Sequence, residues 1–144
     1  MNSTATVYAR LIADATLIAA LATYGAGPAI FNEKAPTGFV FGLGVKPCLI
    51  IAVPVADTAV ETFSENGRAI QQDVRGYAFD TGSSLALDAV MQRVRDLFHN
   101  QPEALTVTGG RAILSRVTGP VASPTSEPSV IGRRVTIRLE LQNT

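Results

Sequence analysis

Period-two alternation marks two stretches of the chain. From Arg68 to Phe79, Ile70, Val74 and Ala78 fall on one side and Gln71, Asp73, Arg75 and Tyr77 on the other, which predicts a half-buried strand. After Gly132, Val135, Ile137, Leu139 and Leu141 alternate with Arg134, Thr136, Arg138 and Glu140, so a second strand buries one face and carries charge on the other. A helical period follows the first of these strands. Leu87, Val90, Met91, Val94, Leu97 and Phe98 make a single apolar stripe, with Asp88, Gln92, Arg93, Arg95 and Asp96 on the remaining surface, and this predicts a helix over 83–99. Asp80, Thr81 or Ser83 is expected to cap it, and Asn100 and Pro102 to end it. Another helix is predicted over 3–22, capped by Asn2 or Ser3. Its stripe is Tyr8, Leu11, Ile12, Ala15, Ile18, Ala19 and Ala22, widened by Leu17 and Leu21, with an outward Arg10 and Asp14 pair.

The remaining segments are shorter. Ala29 to Asn32 reads as an edge strand, and the apolar run from Pro47 to Pro54 as a central strand buried on both faces. Ala59 to Ser64 and Arg68 to Phe79 are expected to form a hairpin turning at Asn66-Gly67. Leu105 to Thr108 and Arg111 to Val117, split by Gly109-Gly110, read as a second hairpin or a bulged strand. Two segments read as long loops: Glu33 to Lys46, and the Pro/Ser-rich stretch 118–132. The expected fold is therefore one α+β domain over 1–144. Its sheet is mostly antiparallel, of about four to six strands, packed by the helices at 3–22 and 83–99.

Composition narrows the partners. Lys+Arg and Asp+Glu are 12 each, so the net charge is zero and electrostatic capture of nucleic acid or an anionic membrane is not expected. Only Lys34 and Lys46 are lysines; the other basic residues are arginines, suited to planar pairing with carboxylates in protein interfaces. A hydrophobic share of 47%, a charged share of 17% and a mean hydropathy of +0.23 are apolar for a small soluble monomer, which points to surface covered by other subunits. Phe39, Val40, Phe41 and Leu43, in a Gly-rich segment, are either tucked under their own domain or docked on a neighbour. Arg93, Arg133 and Arg134, with Arg75 and Arg138 on the polar sides of their strands, are further candidate contacts. Leu11 to Ala22 ends in a signal-peptidase-like Ala20-Leu21-Ala22, but Asp14 interrupts it and a cytoplasmic start is expected.

Chemistry is sparse. Cys48 is the one cysteine and lies in an apolar run, where a buried structural thiol is expected. His99 is the one histidine and sits at a helix end, where a dipole-compensating cation is the simpler reading. Asp73 and Asp80 flank one strand and read as solvated or capping acids. Gly42-Leu43-Gly44 lacks the rest of a dinucleotide fingerprint, and Gly82-Ser83-Ser84 lacks that of a nucleophile elbow. No catalytic residue, cofactor or metal site is expected.

The order of elements nevertheless resembles a known family. Leu11-Ile12-Ala13-Asp14 with Leu17-Ile18, Ile30-Phe31-Asn32, Lys46-Pro47-Cys48-Leu49-Ile50-Ile51, Gln72-Asp73-Val74-Arg75-Gly76-Tyr77 and Ala86-Leu87-Asp88-Ala89-Val90 are similar to the small tail-completion or tail-terminator proteins of long-tailed bacteriophages and phage-derived gene transfer agents. The likeness spans roughly Ala9 to Phe98. It implies a hexameric ring at the head-proximal end of the tail tube, which ends tube polymerisation and joins the tail to the head connector. Its partners would be further copies of itself, the tail-tube protein and a connector or stopper protein, with DNA passing through the lumen unheld and no membrane contact. The virion would be its place, after synthesis in the bacterial cytoplasm. Another neck component, or a small-ligand-binding α+β domain, is the competing expectation.

Overall fold

In a computed structural model the chain is α+β, with a six-stranded, mostly antiparallel sheet covered on one face by helices. The structure describes residues 2–39, 46–61 and 66–143. The chain opens with α1 (Ser3–Ile12) and α2 (Ala15–Ala20), followed by a small hairpin, β1 (Thr23–Tyr24) with β2 (Gly27–Pro28). The sheet strands are β3 (Ile30–Asn32), β4 (Cys48–Ile51), β5 (Ala56–Glu61), β6 (Asn66–Phe79), β7 (Gly110–Ala122) and β8 (Val130–Asn143). Between β6 and β7 lie α3 (Leu85–Phe98) and a 3-10 turn at Pro102–Ala104. The sheet order is β3-β4-β6-β8-β7, and β5 pairs with the first half of the β6 edge that β4 occupies further along.

The β6 and β8 ladder is the spine. It runs without a register shift from Gly67 opposite Gln142 to Phe79 opposite Val130. Its alternation is as expected from the sequence. Ile70, Val74 and Ala78 of β6 and Val135, Ile137, Leu139 and Leu141 of β8 are buried, and they join the α3 stripe Leu87, Val90, Met91, Val94, Leu97 and Phe98 in one core. Glycine at 76 lets α3 sit close to the sheet: a Cβ there would lie 2.5 Å from Met91 Sδ and 2.9 Å from Leu87 Cδ1. Burying side chains of this size supplies on the order of 1.5–3 kcal/mol each before chain entropy is charged against it.

The first helix differs from expectation. Residues 3–22 are two helices, because Asp14 adopts an extended backbone and its carboxylate accepts the Leu17 N–H at 3.0 Å. Geometry explains the break. Leu11 and Leu17, six residues apart, would point about 240° apart on one straight helix. Ending α1 at Ile12 lets Val7 and Leu11 face the core from one helix and Leu17 and Leu21 from the next segment, while Tyr8 and Ile12 are exposed. Arg10 does not pair outward with Asp14 along one helix; its Nε donates to the Leu97 carbonyl at 3.1 Å. Asp14 instead takes a two-pronged contact from Arg93, at 2.8 and 2.6 Å, which ties α2 to α3.

Four other readings are corrected. Asn66-Gly67 forms the first rungs of β6, opposite Glu61 and Val60, so β5 and β6 pair as expected but this dipeptide is strand and not turn; residues 62–65 lie outside the described residues. Residues 105–108 form no strand; Leu105 is buried beside the 3-10 turn and β7 starts at Gly110. The 118–132 loop shrinks to 123–129, since β7 continues through the cis Gly119-Pro120 bond to Ala122, with a register shift between Thr118 and Val121 absorbing the irregular residues. The α3 N-cap is Ser84, whose Oγ donates to Asp88 Oδ2 at 2.7 Å, while Ser83 Oγ accepts the Leu85 N–H and Asp80 accepts that of Gly82. Asn100, at φ 56, ends the helix in a left-handed turn, as the sequence led us to expect of this position.

The exposed edge of β7 is covered rather than left open. Asn100 N–H donates to the Ser115 carbonyl, Val117 N–H donates to His99 Nδ1 at 3.1 Å, and Arg95 NH1 donates to the carbonyls of Val117 and Gly119. The Ser115 hydroxyl returns a bond to the Phe98 carbonyl. His99 thus accepts a bond from the edge of β7 in addition to standing at the end of α3. The end of α3 blocks a strand-pairing surface that would invite aggregation.

Two outcomes follow from these contacts. Arg93 beside Asp14 holds the carboxyl below its ordinary value of 3.8, so the interaction stabilises the fold above that pH and fades as pH falls through the lower folded value. Asp14→Ala should cost about 1 kcal/mol at neutral pH from the lost cap alone, the ion pair adding to it, and the gap from wild type in urea melts should narrow below about pH 4. Gly132→Ala should cost roughly 1–3 kcal/mol, because a Cβ there meets the Ser123 carbonyl oxygen at 2.7 Å and Tyr77 Cε1 at 2.9 Å. An unchanged midpoint for either variant contradicts the packing described.

Candidate functional site: the helix-free face of the sheet

The alternation that buries one side of β6 and β8 pushes the intervening residues onto the other. Strand register places Arg75 directly opposite Arg134, and Asp73 opposite Thr136. One strand further, Arg116 of β7 lies directly opposite Arg138, and Thr118 opposite Thr136. No helix covers this central region, so four arginines from three adjacent strands share one open face. Like charges directly opposite on neighbouring strands repel.

Two carboxylates moderate the repulsion. Asp73 is buried, its Oδ1 accepts the Thr136 hydroxyl at 2.7 Å, and its Oδ2 stands 3.9 Å from Arg75 and 4.0 Å from Arg134. It is a shared counter-ion, not the solvated or capping acid its sequence position suggested. Glu140 lies 3.2 Å from Arg138. Among the described residues Arg116 has no ion pair, and the Arg75 Nε is shut off from solvent without a hydrogen-bond partner. The guanidinium ends still reach water: the side chains of Arg75, Arg134 and Arg138 are 40%, 45% and 56% exposed. The face can bind carboxylates or other oxyanions at several points at once.

The other sequence candidates separate from this cluster. Arg93 is engaged by Asp14, and Arg133, on the helix side of β8, by Asp88 at 3.0 Å. Phe39 packs against its own domain, its ring 5.0 Å from Phe31 and 6.1 Å from Tyr24. Val40, Phe41 and Leu43 lie outside the described residues. No local pattern singles out Arg116 or Asp73 as a contact; the cross-strand register is the signal that groups them with Arg75, Arg134 and Arg138.

At one end of the face the segments around Phe39 and Pro124–Glu127 arch over the sheet and leave a cleft of about 410 Å³ against Cys48, Ile50 and Tyr77. Its walls are largely apolar. Burial pushes the Cys48 thiol up to about 11, so it stays protonated and is a poor nucleophile, the structural thiol expected. Among the described residues no three His, Cys, Asp or Glu side chains are grouped to hold a metal ion. None of their helices is long and apolar enough to cross a membrane.

The repulsion has a measurable consequence for the isolated chain. Arg116→Thr removes an unpaired charge from opposite Arg138, and should leave stability unchanged or raise it by roughly 0.2–1 kcal/mol in denaturant melts. A loss of more than that would mean that Arg116 serves the fold itself.

No protein-family model matches the chain, and neither does any curated protein. Among solved structures it is similar to a chain of the "virion of native gene transfer agent (GTA) particle". The two are 18% identical over 96% of this chain and 93% of that one, with a TM-score of 0.72. At this identity the likeness establishes a shared fold, over nearly the whole length of both chains.

Proposed function

We propose that this chain is a structural protein of a phage-like virion, and specifically that it closes a ring at the head-proximal end of a tail tube, ending tube growth and joining the tail to the head connector. The observation that carries the reading is the end-to-end likeness to a chain of a gene transfer agent virion. A whole-length match means that the strands, the helices and their connections recur together, not one common motif.

The surface chemistry fits the role. A ring is a heterologous assembly, in which each protomer presents two different patches to its neighbours. The two-layer build supplies them on opposite sides: helices over one face of the sheet and arginines over the other. A chain with zero net charge suits a channel through which DNA must slide, because a strongly basic lumen would retain it. The work assigned to the protein is assembly, with no bond made or broken.

Particles made without this chain, imaged in negative stain, test the role. Overlong tails lacking heads are the expected result. Tails of normal length beside filled heads that leak DNA would assign the chain to the stopper position instead. Intact, infectious particles would overturn a virion role altogether.

A further inference from the structure

We infer that the open arginine face docks on an acidic surface of a different protein in the particle, and not on a second copy of this chain. The inference rests on the virion reading and adds to it the chemistry of one partner. Register sets Arg75 opposite Arg134 and Arg116 opposite Arg138. Arg134 and Arg138 stand four residues apart on β8, which is roughly 13 Å along an extended strand. Four guanidinium groups less the two carboxylates of Asp73 and Glu140 leave a net charge of +2 on this region. Arg116 is exposed, and the side chains of Arg75, Arg134 and Arg138 are about half exposed. Every one of them is held on a β-strand, so the positive surface is both open and rigid.

The helix layer, the other broad surface of the protomer, is not the complement. Asp14 and Asp88 are held by Arg93 and Arg133, and Asp96 and Glu103 share the layer with Arg10 and Arg95. Four acids stand against four arginines, so a second copy brings no acidic face to the contact. Asp57, at the margin of the sheet, is likewise taken by Arg68. A ring seated on a tube has neighbours along its axis as well as around it, and the charge balance assigns the arginine face to a neighbour of another sequence. The residue types point to protein. β6, β7 and β8 contain no lysine, and arginine and tyrosine, here with Tyr77, are enriched in protein interfaces while lysine is depleted. A DNA backbone would set phosphates against Asp73, which is buried between Arg75 and Arg134 and cannot turn aside. A protein surface can offer a carboxylate to each arginine pair, through the two parallel bonds of a planar fork, and present neutral groups to Asp73. Zero net charge on the chain also removes the long-range pull on DNA.

Poly-L-glutamate serves as the acidic polypeptide probe, and a short DNA duplex of matched charge as its rival. Arg116→Gln with Arg138→Gln should weaken poly-L-glutamate binding about 10-fold at low salt. Lys46→Gln with Arg68→Gln removes the same charge away from this face and should leave binding within about twofold. Both double variants should keep the wild-type thermal melt and the wild-type sedimentation profile, separating lost docking from lost folding and lost self-association. Supplied to a producer that lacks the chain, the wild type should enter particles and the Arg116→Gln, Arg138→Gln variant should not. Equal loss of probe binding in the two double variants, or equal entry of wild type and face variant into particles, would overturn the inference and leave the virion role standing. Tighter binding of the duplex through the same arginines would replace the protein partner with nucleic acid, and a self-association lost in the face variant alone would replace it with a second copy; either result overturns the inference. A wild-type chain that restores no particles would overturn the virion reading and this inference with it.

Discussion

The uninterrupted antiparallel ladder between β6 and β8 is the constraint on which the rest depends. Its register runs from Gly67 and Gln142 to Phe79 and Val130, and a slip of one residue would exchange every inward side chain for an outward one. Val74 and Val135 would leave the core, and Arg75 and Arg134 would enter it. The cost of burying two guanidinium groups without adequate partners makes the observed register far more stable than its neighbours. The same alternation therefore builds the core and the charged face, and neither can be changed without the other.

Each remaining element is placed by that ladder. Gly76 opens the space in which α3 settles, and α3 in turn brings Arg95, His99 and Asn100 to the outer edge of β7. Gln72, fully buried between the sheet and the first helix, donates to Thr4 Oγ1 at 2.7 Å and to the Ala52 carbonyl at 2.9 Å. That fork pins α1 over the point where the chain passes from β4 to β5. Asp14 then links α2 to α3, so the helix layer is joined to the sheet and to itself by polar contacts as well as by apolar packing. The opposite face receives no helix over its centre; there Asp73 stands between Arg75 and Arg134 and Glu140 beside Arg138, so the two facing arginine pairs are partly compensated and stay open to solvent.

Much of this was legible in the sequence, for a physical reason. Strict alternation over a long strand, and a full stripe along α3, leave no competing arrangement that buries as much apolar surface, so β6, β8 and α3 could be read directly. The break in the first helix is not visible in the pattern, because Leu11, Leu17 and Leu21 are apolar at spacings that suit two short helices as well as one long one; the preference of Asp14 for capping decides between them. The reach of β7 was hidden by Gly119 and Pro120, which read as loop but fit a register shift in a strand edge. Of the candidate site, Arg75, Arg134 and Arg138 were visible as polar-side residues. Their meeting with Arg116 across β8 needs the pairing of strands distant in sequence, and no local pattern encodes that.

If the chain takes the structural place in a virion proposed for it, the open arginine face is exposed in the free chain and covered by a neighbouring protein in the assembly. Arginine-directed modification with phenylglyoxal, mapped by mass spectrometry on the isolated protein and on assembled particles, measures this directly. Arg75, Arg116, Arg134 and Arg138 should react in the isolated chain and be protected in particles, while Arg68, paired with Asp57 at the far margin of the sheet, reacts equally in both. Equal reactivity of the four in both samples would contradict a contact role for this face.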